Sequence, residues 1–434
     1  MLKVRTVDKY IQFYEPFRNI KYNLSKTSWV IIQLIKKHGE EKAVPKITKL
    51  FNIDEKNAKD DIKTILNNLK LLKIKIEEIP TDISEEKYAP RKTHFDITPQ
   101  CNQNCIYCLS SDLISHKEEI PKEKIIDTLK ALYEKNMWIL TLSGGEPLLR
   151  KDIFEILDYT DKIDVVTWLY TNGTLIDEDI ARKLANYKKL LIQISLDSCD
   201  PQQNDLQRGV KGSFEKTVNG IKNLIKNNII PTIAITVTPI NFDEFEKTIS
   251  FLYNLRIKQV RLGPAHISYG RAEENIDKVK LDTEKIKLLG IKVNDLVNKY
   301  NGKMYFSVSP NMFDYPLNPE LIKSLEVGCE AGKDTIYISS NGDVYPCYTL
   351  AFPEFKAGNI MKDDISDIWK NSDVFKKFRK LSIEDLEKCK GCSMVDKCFG
   401  GCRGCAYAKY SSLTAPDPVH CSFFLDKEYR KAIE

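Results

Sequence analysis

The spacing of apolar residues changes character three times along the chain. In Tyr10–Tyr22 (YIQFYEPFRNIKY) apolar and polar residues alternate about a polar centre, the pattern of a hairpin. From Ser25 the spacing turns helical. KTSWVIIQLIKKH is stopped by Gly39, Glu41–Phe51 follows, and then Asp54–Leu72, with Asp54 placed as an N-cap. The run Lys73–Ile79 predicts a closing strand, and the polar, twice proline-punctuated stretch Pro80–Lys92 predicts a linker.

From His94 onward short β-rich runs alternate with amphipathic segments. Predicted strands are His94–Thr98, Ile139–Ser143, Val165–Thr171, Leu190–Asp197, Thr232–Thr238 and Gln259–Gly263, with helices such as Lys122–Lys135 and Phe214–Asn228 between them. The strands are apolar on both faces, as in a parallel sheet. Six such units predict an α/β fold, an open partial (β/α)6 barrel with its chemistry at the C-terminal strand ends. Beyond residue 328 the periodicity fades and Cys, Gly and Pro punctuate the chain, so metal is expected to organise this region more than a hydrophobic core. The boundaries read as 1–85, 86–310 and 311–434.

Composition adds compartment and chemistry. Of 434 residues, 42% are hydrophobic, enough to fill the cores of two or three domains. The net charge of +5 is mild and its Lys and acidic residues interleave along helices, which argues against a nucleic-acid partner. The N-terminus has no apolar signal core and no run reaches membrane-spanning length, so a cytoplasmic protein with no membrane partner is expected. In a reducing compartment twelve cysteines imply metal binding or catalysis rather than disulfides. Three gather near residue 101, Cys199 stands alone as a simple thiol, and eight lie beyond residue 328.

Cys101, Cys105 and Cys108 directly follow the first predicted barrel strand in a C-x3-C-x2-C loop. Three soft thiolates can hold three irons of a [4Fe–4S] cluster and leave the fourth open to a chelating ligand. Zinc is the alternative; it needs a fourth Cys or His, for which His94 and His116 are the local candidates. The loop, with Tyr107 before its third cysteine, resembles that of the radical SAM superfamily. Ser143-Gly144-Gly145-Glu146-Pro147 ends the second strand, where that family carries its GGE motif. Two glycines bring bare backbone close to a ligand, and carbonyls and Glu146 can receive the ammonium of S-adenosylmethionine (SAM). The resemblance further implies that Ser195 and Asp197, at the end of the fourth strand, contact the ribose and carboxylate of SAM, and that Arg208 pairs with the carboxylate. Asn172, in Thr171-Asn-Gly, is first of all a turn signal.

The C-terminal spacing, Cys329-x12-Gly342-x4-Cys347, then Cys389-x2-Cys392-x5-Cys398-x3-Cys402 and finally Cys421, resembles the SPASM domain. That resemblance implies one or two auxiliary [4Fe–4S] clusters with crossed ligation, Cys329, Cys347 and Cys402 on the first and Cys389, Cys392, Cys398 and Cys421 on the second. A pair of zinc ribbons is the alternative. Cys405 lies outside the motif; it supplies a fourth ligand to the first site, or that position stays open for a substrate thiolate. In sulfatase-maturating relatives an acidic residue follows the second auxiliary cysteine; here Tyr348 stands there, which argues against that activity.

A hairpin followed by three helices and a strand resembles the PqqD-like element, a small winged-helix-like α+β unit that binds the leader of a ribosomally made precursor peptide by β-augmentation. The resemblance places Phe13–Tyr22 and the helix Asp54–Leu72 at the peptide groove. Together these resemblances imply a radical SAM oxidoreductase that cross-links a precursor peptide, forming a C–S or C–C bond, with a flavodoxin or ferredoxin as reductant. Reduced cluster and SAM would yield methionine and a 5′-deoxyadenosyl radical, and an auxiliary cluster would accept the surplus electron. Two other readings stay open. One is an enzyme acting on a small molecule such as a tetrapyrrole side chain, since the tail from Cys402 to Tyr410 has some likeness to such relatives; the other is a non-catalytic iron–sulfur regulator binding DNA.

Overall fold

A computed structural model describes residues 2–7, 10–15, 20–81, 88–111, 118–163, 165–308, 329–386 and 388–424. They fall into two compact units that divide between Tyr88 and Ala89. No helix among them is long and apolar enough to cross a membrane.

In the N-terminal unit β1 (Lys3–Val7), β2 (Tyr10–Glu15) and β3 (Ile20–Ser25) form an antiparallel sheet in that order. Ser25 ends β3 and caps α1 (Lys26–His38), its Oγ accepting the Ser28 N–H at 2.9 Å. Gly39, at φ 78°, stops that helix. Next come α2 (Glu40–Phe51) and α3 (Glu55–Leu71), the latter capped by Asp54 through the Asn57 N–H at 2.7 Å. Phe13, Trp29, Ile32, Ile47, Ala58 and Ile62 form the core.

Three expectations change here. The hairpin gains a strand, β1, ahead of it, and residues 16–19 at its turn lie outside the described residues. Phe13 lies on the central strand with its ring buried edge-on to Trp29 at 5.7 Å, so it is core, not groove. The expected strand Lys73–Ile79 is instead a short 3-10 turn, Ile76–Glu78. Lys73 turns the chain at φ 55°, and Ile74 and Ile79 are buried singly rather than pairing. Of the expected linker, residues 82–87 lie outside the described residues.

In the second unit six consecutive parallel strands form the expected partial barrel: β4 (Lys92–Thr98), β5 (Ile139–Gly144), β6 (Val166–Thr171), β7 (Leu190–Ser195), β8 (Thr232–Val237) and β9 (Gln259–Pro264). Helices including Lys122–Glu134, Ile153–Lys162, Ser213–Lys226 and Phe245–Asn254 connect them. Side chains alternate across each strand. On β4, Phe95 and Ile97 are fully buried, whereas the ring of His94, on the other face, meets Tyr170 of β6.

The sheet runs past this barrel at both edges. β10 (Tyr305–Val308) adds parallel to β9. At the other edge β11 (Thr335–Ile338) pairs parallel with β4 and leads to antiparallel β12 (Asp343–Tyr345) and β13 (Gly358–Asn359). A buried ion pair, Arg91–Asp334 at 2.8 Å, locks that junction. The cysteine-rich extension therefore starts as a continuation of the barrel sheet. It also has a core of its own, in which Ala331, Leu350, Phe355, Phe378 and Leu413 pack together. The expectation that metal would organise this region more than a hydrophobic core is therefore corrected to a region that has an apolar core as well.

Candidate active site

The first cysteine loop leaves β4 at Thr98 and is clamped from both sides by backbone. Gly145 N–H donates to Thr98 O at 2.9 Å and Glu146 N–H to Gln100 O at 2.7 Å. From the opposite side Asn104 N–H donates to Arg208 O and Ile106 N–H to Gln207 O, both at 3.0 Å. A Cβ on Gly145 would sit 2.1 Å from Gln100 O, and one on Gly209 2.2 Å from Asn104 O. Gly145 and Gly209 thus admit the cysteine loop itself. The thiols lie close enough for their charges to interact: burial pushes Cys101 up to about 12 and Cys108 up to about 11, and the neighbouring thiols add to both.

Glu146 is fully buried, and its carboxylate is occupied by the protein. It accepts from Thr171 Oγ1 at 2.7 Å, Asn172 N–H at 2.7 Å and Leu148 N–H at 3.1 Å. Burial raises its pKa against these three donors. In this geometry it ties the Gly144–Gly145 turn to the Thr171–Gly173 turn. Asn172 continues the tie, its Nδ2 donating to Asn102 Oδ1 at 2.8 Å within the cysteine loop.

Asp197 and Arg208 are brought together with Arg208 Nε 3.0 Å from Asp197 Oδ2, both side chains buried. The other Asp197 oxygen accepts the Thr236 N–H at 2.8 Å, and Tyr107 OH donates to Oδ2. Burial pushes Asp197 upward, and the Arg208 charge and these donors pull it back. Arg208 lies over the Tyr107 ring at 5.5 Å and reaches Cys105 Sγ with Nη1 at 3.8 Å. Asp197 therefore holds Arg208 against the cysteine loop and anchors that loop through Tyr107. Ser195, the last residue of β7, is half-buried two residues earlier.

The donor set fits an iron–sulfur cluster. Three soft thiols stand beside the Arg208 and Arg271 guanidiniums, and among the described residues Gln103 Nε2 and Arg271 Nη1 are buried without a hydrogen-bond partner. Cationic and orphaned donors suit a group that thiolates make anionic. No three His, Cys, Asp or Glu side chains of the described residues converge as a single metal ion requires. Of the zinc candidates, His94 is hydrogen-bonded to Asp96 Oδ1 at 3.1 Å, and His116 lies outside the described residues.

The barrel interior is polar and aromatic. Around His94 stand Tyr170, Tyr337 and Tyr348, with Tyr337 OH on Asp96 Oδ2 at 2.7 Å and Arg261 on Tyr170 OH at 2.8 Å. Tyr348 follows Cys347, so this lining leads to the C-terminal cysteines. These form two groups by mutual electrostatic influence. Cys329, Cys347, Cys402 and Cys405 act on one another, as do Cys389, Cys392, Cys398 and Cys421. Sequence reasoning missed Asn102, Gln207 and Arg271. Asn102 lies within the cysteine loop, where nothing in the spacing marks it, and Gln207 and Arg271 lie on the short helices Pro201–Arg208 and Arg271–Glu274, which only the fold brings to the cysteines.

Residues 95–252 match the model of the radical SAM superfamily, and residues 329–393 match that of SPASM, an iron–sulfur cluster-binding domain. The chain is 29% identical over 338 residues to mycofactocin maturase MftC of Mycolicibacterium smegmatis, covering 76% of this chain and 82% of that protein. It is also 29% identical to the AdoMet-dependent heme synthase of Methanosarcina barkeri, over 76% of this chain and 96% of that protein. In fold it is similar to SuiB of Streptococcus suis bound to S-adenosylmethionine, with a TM-score of 0.69 at 20% identity over 96% of this chain and 98% of that one. SAM and [4Fe–4S] clusters are accordingly the cofactors. With a three-cysteine loop on a partial barrel and a cysteine-rich extension continuing its sheet, the chain carries a radical SAM domain over residues 95–252 and a SPASM domain over residues 329–393.

Proposed function

We propose that this enzyme oxidatively cross-links a ribosomally made precursor peptide whose leader is held by the N-terminal unit. On this reading residues 1–85 recognise the leader, 86–310 cleave SAM and 311–434 carry auxiliary clusters. The observation that carries it is the separate N-terminal unit, a three-stranded sheet with β3 at one edge and three helices over a single core. An edge strand offers unpaired backbone groups to an extended peptide. The names of similar proteins support it: mycofactocin maturase is among them, and another SuiB structure is of its complex with precursor peptide SuiA. The heme synthase match spans 96% of that protein but 76% of this chain, leaving about a quarter of this chain with almost no counterpart there. That favours the peptide over a tetrapyrrole.

Cys101, Cys105 and Cys108 would hold the SAM-binding cluster. When reduced and bound to SAM, that cluster supplies a carbon-centred radical able to take a hydrogen atom from carbon. The chain's own residues do the rest. Gly144 and Gly145 present backbone to the amino group of SAM, and Arg208, oriented by Asp197 and Tyr107, offers its remaining N–H groups to the carboxylate. Ser195 faces the ribose. The aromatic lining around His94 excludes water from the reacting carbon. A small electron carrier such as flavodoxin or ferredoxin would reduce the cluster in a cytoplasmic setting.

The test is mass spectrometry of a short peptide encoded beside this gene, incubated anaerobically with reconstituted enzyme, SAM and reductant. Loss of two hydrogens from the core peptide is expected, and it should disappear when residues 1–85 are deleted. Turnover of a porphyrin with the peptide untouched, or full peptide turnover by the truncated chain, would overturn the proposal.

A further inference from the structure

The first C-terminal group contains one cysteine more than its motif requires, and the local geometry gives that cysteine a place. Cys402 is the N-cap of the helix Arg403–Tyr410, and Cys405 is the third residue of that helix. This i, i+3 spacing sets both thiols over one turn, close enough for their charges to interact. Gly404 between them lets the helix lie on the Cys347 turn: a Cβ there would come 2.3 Å from Thr349 Oγ1 and 2.7 Å from Thr349 O. The same Thr349 hydroxyl is 3.6 Å from Cys347 Sγ and 3.8 Å from Cys402 Sγ. Beneath, Arg403 is buried with Nη1 donating to Leu413 O at 2.9 Å and to Ala415 O at 2.6 Å, and Asp417 Oδ2 accepts the Cys402 N–H at 2.6 Å. The helix start is therefore fixed, and Cys405 with it.

On the barrel side Cys405 Sγ lies 3.7 Å from His266 Nδ1. The other ring nitrogen of His266 is buried without a hydrogen-bond partner. A neutral imidazole with its proton on Nδ1 is the form that suits this place, giving a thiolate an N–H donor. We propose that Cys405 completes a four-thiolate set with Cys329, Cys347 and Cys402, that His266 donates to its sulfur, and that no iron of this cluster is left open for substrate. The proposal rests on reading these cysteines as auxiliary-cluster ligands, and it is independent of what the substrate is. Its consequence is that the first auxiliary cluster can carry electrons but cannot bind a substrate thiolate.

The test uses the full chain with Cys101, Cys105 and Cys108 all replaced by Ser, reconstituted anaerobically, so that reduced-state electron paramagnetic resonance reports the auxiliary clusters alone. Cyanide, a small ligand for an open iron, should leave this parent spectrum unchanged. Adding Cys405→Ala should make it cyanide-sensitive, and Cys405→Ser, which keeps the side-chain size, should shift the spectrum without loss of iron. His266→Ala should move one cluster to a more negative reduction potential, and His266→Asn, which restores an N–H donor, should return it toward the parent value. A parent that already responds to cyanide, or a Cys405→Ala chain identical to the parent, would overturn the assignment. If Cys402→Ala also failed to lower the iron content, the reading of the C-terminal cysteines as cluster ligands would fall with it.

Discussion

The cysteines of the first loop and those of the C-terminal field are held by opposite means. Cys101, Cys105 and Cys108 sit in a loop with little regular structure, but four backbone hydrogen bonds from neighbouring barrel loops clamp it, and two glycines allow the contact. The barrel sheet builds this site before any iron arrives. Cys389, Cys392 and Cys398 have local backbone bonds, such as Cys392 N–H to Cys389 O at 2.9 Å, and Cys398 ends a helix of only four residues, Val395–Cys398. Between these extremes stands the Cys329–Cys347 segment, which has both a strand paired to β4 and an apolar core. A preformed site needs metal for chemistry, while a locally bonded one needs it for its fold as well.

Iron removal should separate the two most strongly. Anaerobic chelation is expected to open residues 388–399 to proteolysis and fast hydrogen exchange, while the barrel strands and residues 329–381 stay protected. Equal protection throughout would show that both regions are preformed. On the barrel side, Asp197→Ala strands the buried Arg208 charge and should cost about 3–5 kcal/mol in denaturant unfolding, with SAM cleavage lost. A stable variant that still cleaves SAM would show that Arg208 is held by other means. Gly145→Ala drives a methyl group into Gln100 O and should cost about 1–3 kcal/mol by overpacking, with iron in the first loop lost and iron in the C-terminal field retained. Thr349→Val removes the hydroxyl shared by Cys347 and Cys402; its expected effect is about 1 kcal/mol, read as a small potential shift of the first auxiliary cluster with the SAM-binding cluster unchanged.

Much of this was legible beforehand because it is local or periodic. The six barrel strands follow from apolar runs, the helix starts from Ser25 and Asp54, and the two metal regions from cysteine spacing. The strand expected at Lys73–Ile79 failed because two buried isoleucines satisfy a hydrophobic pattern without any strand to pair with. Phe13 was placed at a groove by resemblance, but its ring packs on Trp29, and a period of two does not say which face of a sheet a helix will cover.

Ligand type and spacing belong to the chain itself: three thiols on one loop, eight in the extension, and a glycine pair, Gly144–Gly145, after the second strand. Only the folded molecule decides partnership. That Glu146 braces a turn, that Asp197 orients Arg208, and that Cys405 stands with Cys347 and His266 are long-range facts. Each depends on strands and loops far apart in sequence being drawn together by a sheet that joins the barrel to its extension. Spacing along a chain fixes which groups can share a turn; burial against distant backbone fixes which of them have hydrogen bonds left to give.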